Sequence, residues 1–167
     1  MSIKPFALAT LALSALSVPA FAQPSPRMVQ KFNDWGLYSY QANGGTTCYV
    51  LTTPQQMRPA NVDHGDNYFL VAPKPSGSGY YPQAIMGYEL RNGSQMTVTI
   101  GDQNFVLMPQ GNSGWTQQES NDAELIAAMK AGSQMTLEAT SRRGTQTSYV
   151  FSLSGVSAAL NQADRCN

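Results

Sequence analysis

Glycine hinges, each followed by a short run of alternating side chains, constrain this chain more than any other feature of its sequence. The pentapeptide GSQMT occurs at residues 93–97 and again at 132–136, and both times an aliphatic residue follows. Successive side chains of a strand point to opposite faces, so the first copy puts Met96, Val98 and Ile100 on one face, and the second does the same with Met135, Leu137 and Ala139. Asn92-Gly93 is a tight-turn dipeptide that tolerates positive φ. Gly132 stands where a helix is expected to end in a left-handed residue. Each strand then folds back, through Gly101-Asp102 into QNFVLM and through Arg142-Arg143-Gly144 into TSYVFSL. The repeat therefore predicts two similar antiparallel hairpins, each started by a glycine.

The same grammar runs through the rest of the chain. WGLYSYQ from Trp35, TCYVLTT from Thr47, NYFLVAP from Asn67 and AIMGYEL from Ala84 alternate or cluster β-branched and aromatic residues between Gly, Pro, Asn and Asp. Two stretches break this period. In NDAELIAAMKAG, Asn121 with Glu124 makes a capping box, Leu125, Ala128 and Met129 form an apolar face, and Lys130 and Gly132 supply the stop. VSAALNQA from Val156 reads as a second, shorter helix. The expected fold is all-β: one antiparallel sandwich or barrel-like domain with two short helices.

The first 22 residues have the form of a secretory signal peptide, with Lys4 near the terminus, an apolar run from Phe6 to Val18, and Ala20-Phe21-Ala22 before the expected cleavage between Ala22 and Gln23. The run is shorter than the roughly 20 residues a spanning helix needs, and no other stretch is apolar enough to span. Residues 23–167 are then one domain-sized unit in an exported compartment, periplasmic or secreted. The chain has 10 basic and 10 acidic residues, and without Lys4 the unit keeps 9 basic against 10 acidic, a formal charge of −1, which argues against nucleic acid as a partner. The two cysteines, Cys48 and Cys166, read as a disulfide in an oxidising compartment. It would close a loop of about 120 residues, for which chain entropy assigns roughly 4–5 kcal/mol.

Sites for chemistry are sparse. Ser113 in GNSGW follows His64 and Asp102 in the order of a protease triad, but a two-barrel protease does not fit this length, and the stretch reads as a turn before Trp115. VDHGD supplies Asp63, His64 and Asp66 but lacks the histidines and free cysteines of a zinc site; Asp63 and Asp66 read as turn residues. No catalytic residue, metal site or cofactor is expected. PKPSGSGYYPQ, residues 73–83, reads as a proline-rich loop in which Tyr80 and Tyr81 either form a partner contact or pack beneath the loop. Arg142 and Arg143 sit in the second hairpin turn, as a solvated turn or a contact for a partner.

The C-terminal stretch ELIAAMKAGSQMTLEATSRRGTQTSYVFSLSGVSAALNQADRC, with FNDWGLYSY, CYVL, VDHGDNYFLV and GNSGW upstream, resembles the invasion-associated locus B family of Gram-negative envelope proteins. The resemblance implies an exported β-rich domain without known catalytic residues or cofactor, in a family whose founding member is associated with entry into host cells. The expected function is a non-enzymatic envelope or secreted protein that binds a macromolecular partner, a protein or an envelope component. The alternatives from other classes are a hydrolase of cell-wall or glycan material and a small-ligand binder.

Overall fold

The structure, a computed structural model, describes residues 25–42 and 44–166. The signal segment with Ala22 and Gln23 lies outside the described residues. The strands are β1 Arg27–Phe32, β2 Trp35–Ala42, β3 Gly45–Thr52, β4 Gln56–Arg58, β5 Tyr68–Pro73, β6 Tyr80–Ile85, β7 Met96–Ile100, β8 Gln103–Gln110, β9 Ser113–Trp115, β10 Gln134–Thr140 and β11 Gln146–Ser152. Two helices, α1 Glu119–Ala131 and α2 Val156–Ala163, interrupt and end the series. The strand order is β1-β2-β3-β5-β6-β9-β8-β7-β10-β11-β4, antiparallel at every step. β8 carries the sheet around its bend, because residues 103–107 pair with β7 and residues 108–110 pair with β9. The two halves then face each other as an open sandwich, with Phe69 of β5 edge-on to Phe151 of β11 at a centroid separation of 6.0 Å.

The two GSQMT strands are neighbours. Val98 of β7 pairs with Leu137 of β10 and Thr99 with Thr136, so the two hairpins join edge to edge into one unit, β8-β7-β10-β11. Met96, Val98, Ile100, Met135, Leu137 and Ala139 are all buried, as the alternation requires. Burial of each larger side chain contributes about 1.5–3 kcal/mol. The two hinge glycines differ. Gly93 takes φ +73°, the left-handed turn expected of it, whereas Gly132 is extended at φ −85°, ψ 170°. Close packing is what Gly132 serves: a Cβ there would stand 2.6 Å from Ile100 Cγ2 and 3.0 Å from Leu153 Cδ1.

Helix α1 begins before the expected capping box. Its N-cap is Gln118, which makes no side-chain cap, and Asn121 lies inside the first turn. The start is tied down instead by Asp122, which accepts from the Thr116 hydroxyl and pairs with Lys74 Nζ at 2.9 Å. Leu125, Ala128 and Met129 are buried as predicted. Helix α2 buries Val156, Ala159, Leu160 and Ala163 and packs against β1, β2 and β3. Just past its end Cys166 reaches Cys48 of β3, with Cα atoms 5.9 Å apart, at disulfide distance.

The strand expected from Ala84 runs earlier, over Tyr80–Ile85, so the loop after Pro73 is confined to residues 74–79. After Ile85 the chain leaves the sheet and packs its backbone against residues 64–67. Gly87 permits this approach, since a Cβ would collide with the His64 carbonyl oxygen. The Gly87 N–H donates to Asn67 Oδ1 at 3.1 Å. Tertiary packing of backbone on backbone overrides the strand propensity of that stretch.

Candidate functional site

The segments meeting at Gly87 form one wall of a cleft of about 410 Å³, with Asp63, His64, Tyr88 and Glu89 on this side and the β10–β11 hairpin turn, carrying Arg142 and Arg143, on the other. The turn is held by its own hydrogen bonds. Arg142 N–H donates to Glu89 O at 2.8 Å, Ser141 N–H to Thr145 O at 2.9 Å, and Thr145 N–H to Ser141 Oγ at 3.1 Å, with Gly144 at φ +90°. Both arginines are exposed. The ion pairs among the described residues all involve Lys74, so neither guanidinium has a carboxylate partner there.

A hydrogen-bonded chain runs beneath the cleft. His64 Nε2 lies 2.9 Å from Pro59 O and Nδ1 2.8 Å from Tyr149 OH. The Tyr149 hydroxyl lies 3.1 Å from that of Tyr88, which lies 2.6 Å from Thr147 Oγ1, which in turn donates to Ala139 O at 3.1 Å. Carbonyl oxygens, which only accept, close both ends. Five links therefore join four hydrogens when the imidazole is neutral, and five when both its nitrogens carry one. Burial, reinforced by Tyr88, pushes the Tyr149 hydroxyl far above the ordinary phenol range, so it stays a neutral donor. Asn67, 3% exposed, holds the His64 turn by donating to His64 O and Gly65 O, each at 3.0 Å. Sequence reading passed over Asn67, whose only local sign was its place after a turn.

The histidine, aspartate, serine order is not an assembled triad. Both His64 nitrogens are engaged by Tyr149 and Pro59, and Ser113 Oγ donates to Asn112 Oδ1 at 3.2 Å. A nucleophile needs its base within hydrogen-bond reach, and Ser113 has no such base. Asp63 Oδ1 accepts from Gly65 N–H at 3.0 Å, the turn its position predicted. Among the described residues no three His, Cys, Asp or Glu side chains gather as a metal site.

Tyr80 and Tyr81 do not act as a pair. They are consecutive residues of β6 and so face opposite sides of the sheet. Tyr80 packs on the core beside Ile126 of α1 and Lys74. Tyr81 lies on the open side near Tyr40, where partial burial and then Tyr40 raise its hydroxyl's pKa. A strand replaces the expected loop because Tyr80–Ile85 supplies the full partner to Tyr68–Pro73.

A family model described as invasion associated locus B (IalB) protein matches residues 35–164. Among solved structures, the crystal structure of invasion associated protein B from Bartonella henselae superposes with a TM-score of 0.58 at 14% identity, covering 81% of this chain and 94% of that one. No curated protein matches the chain.

Proposed function

From the premise that this chain belongs to the invasion-associated locus B family, we propose that it is an exported, non-enzymatic envelope or secreted protein that binds a macromolecular partner through the Arg142–Arg143 turn and the adjoining cleft. The observation that carries this reading is the pair of exposed guanidiniums without a carboxylate partner among the described residues, set on a hydrogen-bonded turn at the rim of a cleft. Arginine is the charged residue most often found as an energetic anchor in interfaces, because its planar fork binds carboxylate in two places at once. Export is supported by the form of residues 1–22 and by cysteines at disulfide distance. The Bartonella henselae relative is described as invasion associated, and a role in contact with host cells is the corresponding reading here.

The test is capture from envelope and host-surface extracts under non-reducing conditions with the wild type and an Arg142→Glu, Arg143→Glu variant. A specific partner should be retained by the wild type, and reversing the charges should weaken its binding at least tenfold, about 1.4 kcal/mol. Equal retention by a folded variant refutes the turn as the contact. Turnover of a cell-wall or glycan substrate, lost on His64→Ala, refutes the non-enzymatic reading.

A further inference from the structure

The hydrogen-bonded chain beneath the cleft is complete in only one charge state of His64. Its ends are the carbonyl oxygens of Pro59 and Ala139, and between them lie His64, Tyr149, Tyr88 and Thr147, each buried or half-buried. With a hydrogen on both ring nitrogens, every link is filled in one direction. Nε2 donates to Pro59 O and Nδ1 to the Tyr149 hydroxyl, which donates to Tyr88, which donates to Thr147, which donates to Ala139 O. The neutral ring brings one hydrogen fewer. If Nε2 keeps its hydrogen, Tyr149 turns its own toward Nδ1, and the single Tyr88 hydrogen then serves Tyr149 or Thr147 but not both. If Nδ1 keeps it instead, the Nε2 lone pair faces the Pro59 carbonyl oxygen at 2.9 Å. Either tautomer leaves one of the five links empty, and a buried polar contact without its hydrogen is destabilising.

We propose that His64 is a pH-sensitive latch: with both ring nitrogens protonated it closes a one-way chain that ties its own turn to β11 and to Tyr88 in the cleft wall, and loss of one proton opens a link. The charged groups around the ring do not decide its state. In its own turn Asp63 and Asp66 are exposed, and Asp63 Oδ1 is engaged by the Gly65 N–H. Tyr88 and Glu89 from the segment after β6, and Arg142 and Arg143 from the β10–β11 turn, line the cleft with it. Arg58 and Glu138 line a separate groove with Pro59 and Thr147. Carboxylates and guanidiniums thus stand on both sides, and among the described residues no carboxylate forms an ion pair with the ring. The hydrogen count remains as the term that favours the proton. His64 lines the cleft, so its proton exchanges with solvent there. Histidine is the side chain whose charge ordinarily changes between about pH 5 and 8, which sets the range in which the latch works. The device is independent of what the cleft binds.

The test is long-range 1H–15N NMR of the exported protein at about pH 6.5, where an ordinary histidine is half protonated. His64 is the one histidine of the chain, so its ring signals need no assignment. The wild-type ring should be mostly doubly protonated. Tyr88→Phe removes one hydrogen and two links, so the three remaining links are filled by three hydrogens with the ring neutral. The ratio of doubly to singly protonated ring should therefore be at least tenfold lower in Tyr88→Phe than in wild type. Thr147→Val removes the same numbers of hydrogens and links at the other end of the chain and should act alike, which keeps the comparison decisive if Tyr88→Phe misfolds. A simple loss of packing would not move this ratio. Equal ratios in wild type and a folded variant, or a wild-type ring mostly singly protonated at this pH, overturn the proposal.

Discussion

Replacing Cys48 and Cys166 together by alanine should cost most of the stability that chain entropy assigns to the bridge. The residues are 118 positions apart, and the chain-entropy relation gives about 4.9 kcal/mol at 25 °C for a loop of that length. The effect belongs to the unfolded state. In the folded state α2 remains docked through Val156, Ala159, Leu160 and Ala163, all at most 2% exposed, so the native contacts survive the substitution. Only the small void left by the fully buried Cys48 sulfur adds to the loss. With a urea m-value of about 2 kcal/mol/M, the midpoint should fall by roughly 2 M, and m should rise because the unbridged unfolded chain exposes more surface. Equilibrium urea unfolding by circular dichroism reads both quantities. Intact mass of the oxidised exported protein should show a chain that begins at Gln23 and lacks the two thiol hydrogens. A loss under about 1 kcal/mol with unchanged m, or two alkylatable thiols in the exported protein, would refute the reasoning.

Tyr149→Phe keeps the buried ring but leaves His64 Nδ1 and the Tyr88 hydroxyl without their common partner, and should destabilise by about 1–3 kcal/mol in thermal or urea unfolding. The same hydroxyl gives a pH dependence. Its pKa is raised on folding, so its contribution is fully present below the ordinary phenol value of about 10 and is lost as pH rises beyond it; wild type should weaken more steeply above about pH 10 than Tyr149→Phe. Gly132→Ala should cost about 1–3 kcal/mol despite an ordinary φ, because its methyl meets Ile100 and Leu153; a neutral or stabilising result, the usual outcome for Gly→Ala at an unstrained site, would show that those side chains yield freely.

Local periodicity by itself determined most of the strands. Val98, Leu137 and Phe151 are buried because side chains on a strand alternate and one face must leave water, and that pattern is written residue by residue. The Asp63 turn and α2 were legible for the same reason, since each depends on neighbours a few residues away. Pairing between distant segments was not. That the two GSQMT strands lie side by side, that Tyr80 and Tyr81 part to opposite faces, and that Met86–Leu90 abandons the sheet to press Gly87 against His64 are decided by which surfaces find each other. The candidate sites belong to this second kind. Arg142 and Arg143 were visible as a turn, but the cleft beside them needs Tyr88 and Glu89 brought from more than fifty residues away. A sequence records the period of a strand, because backbone geometry enforces it locally; it does not record the partner, because pairing is settled by burial summed over the whole sheet.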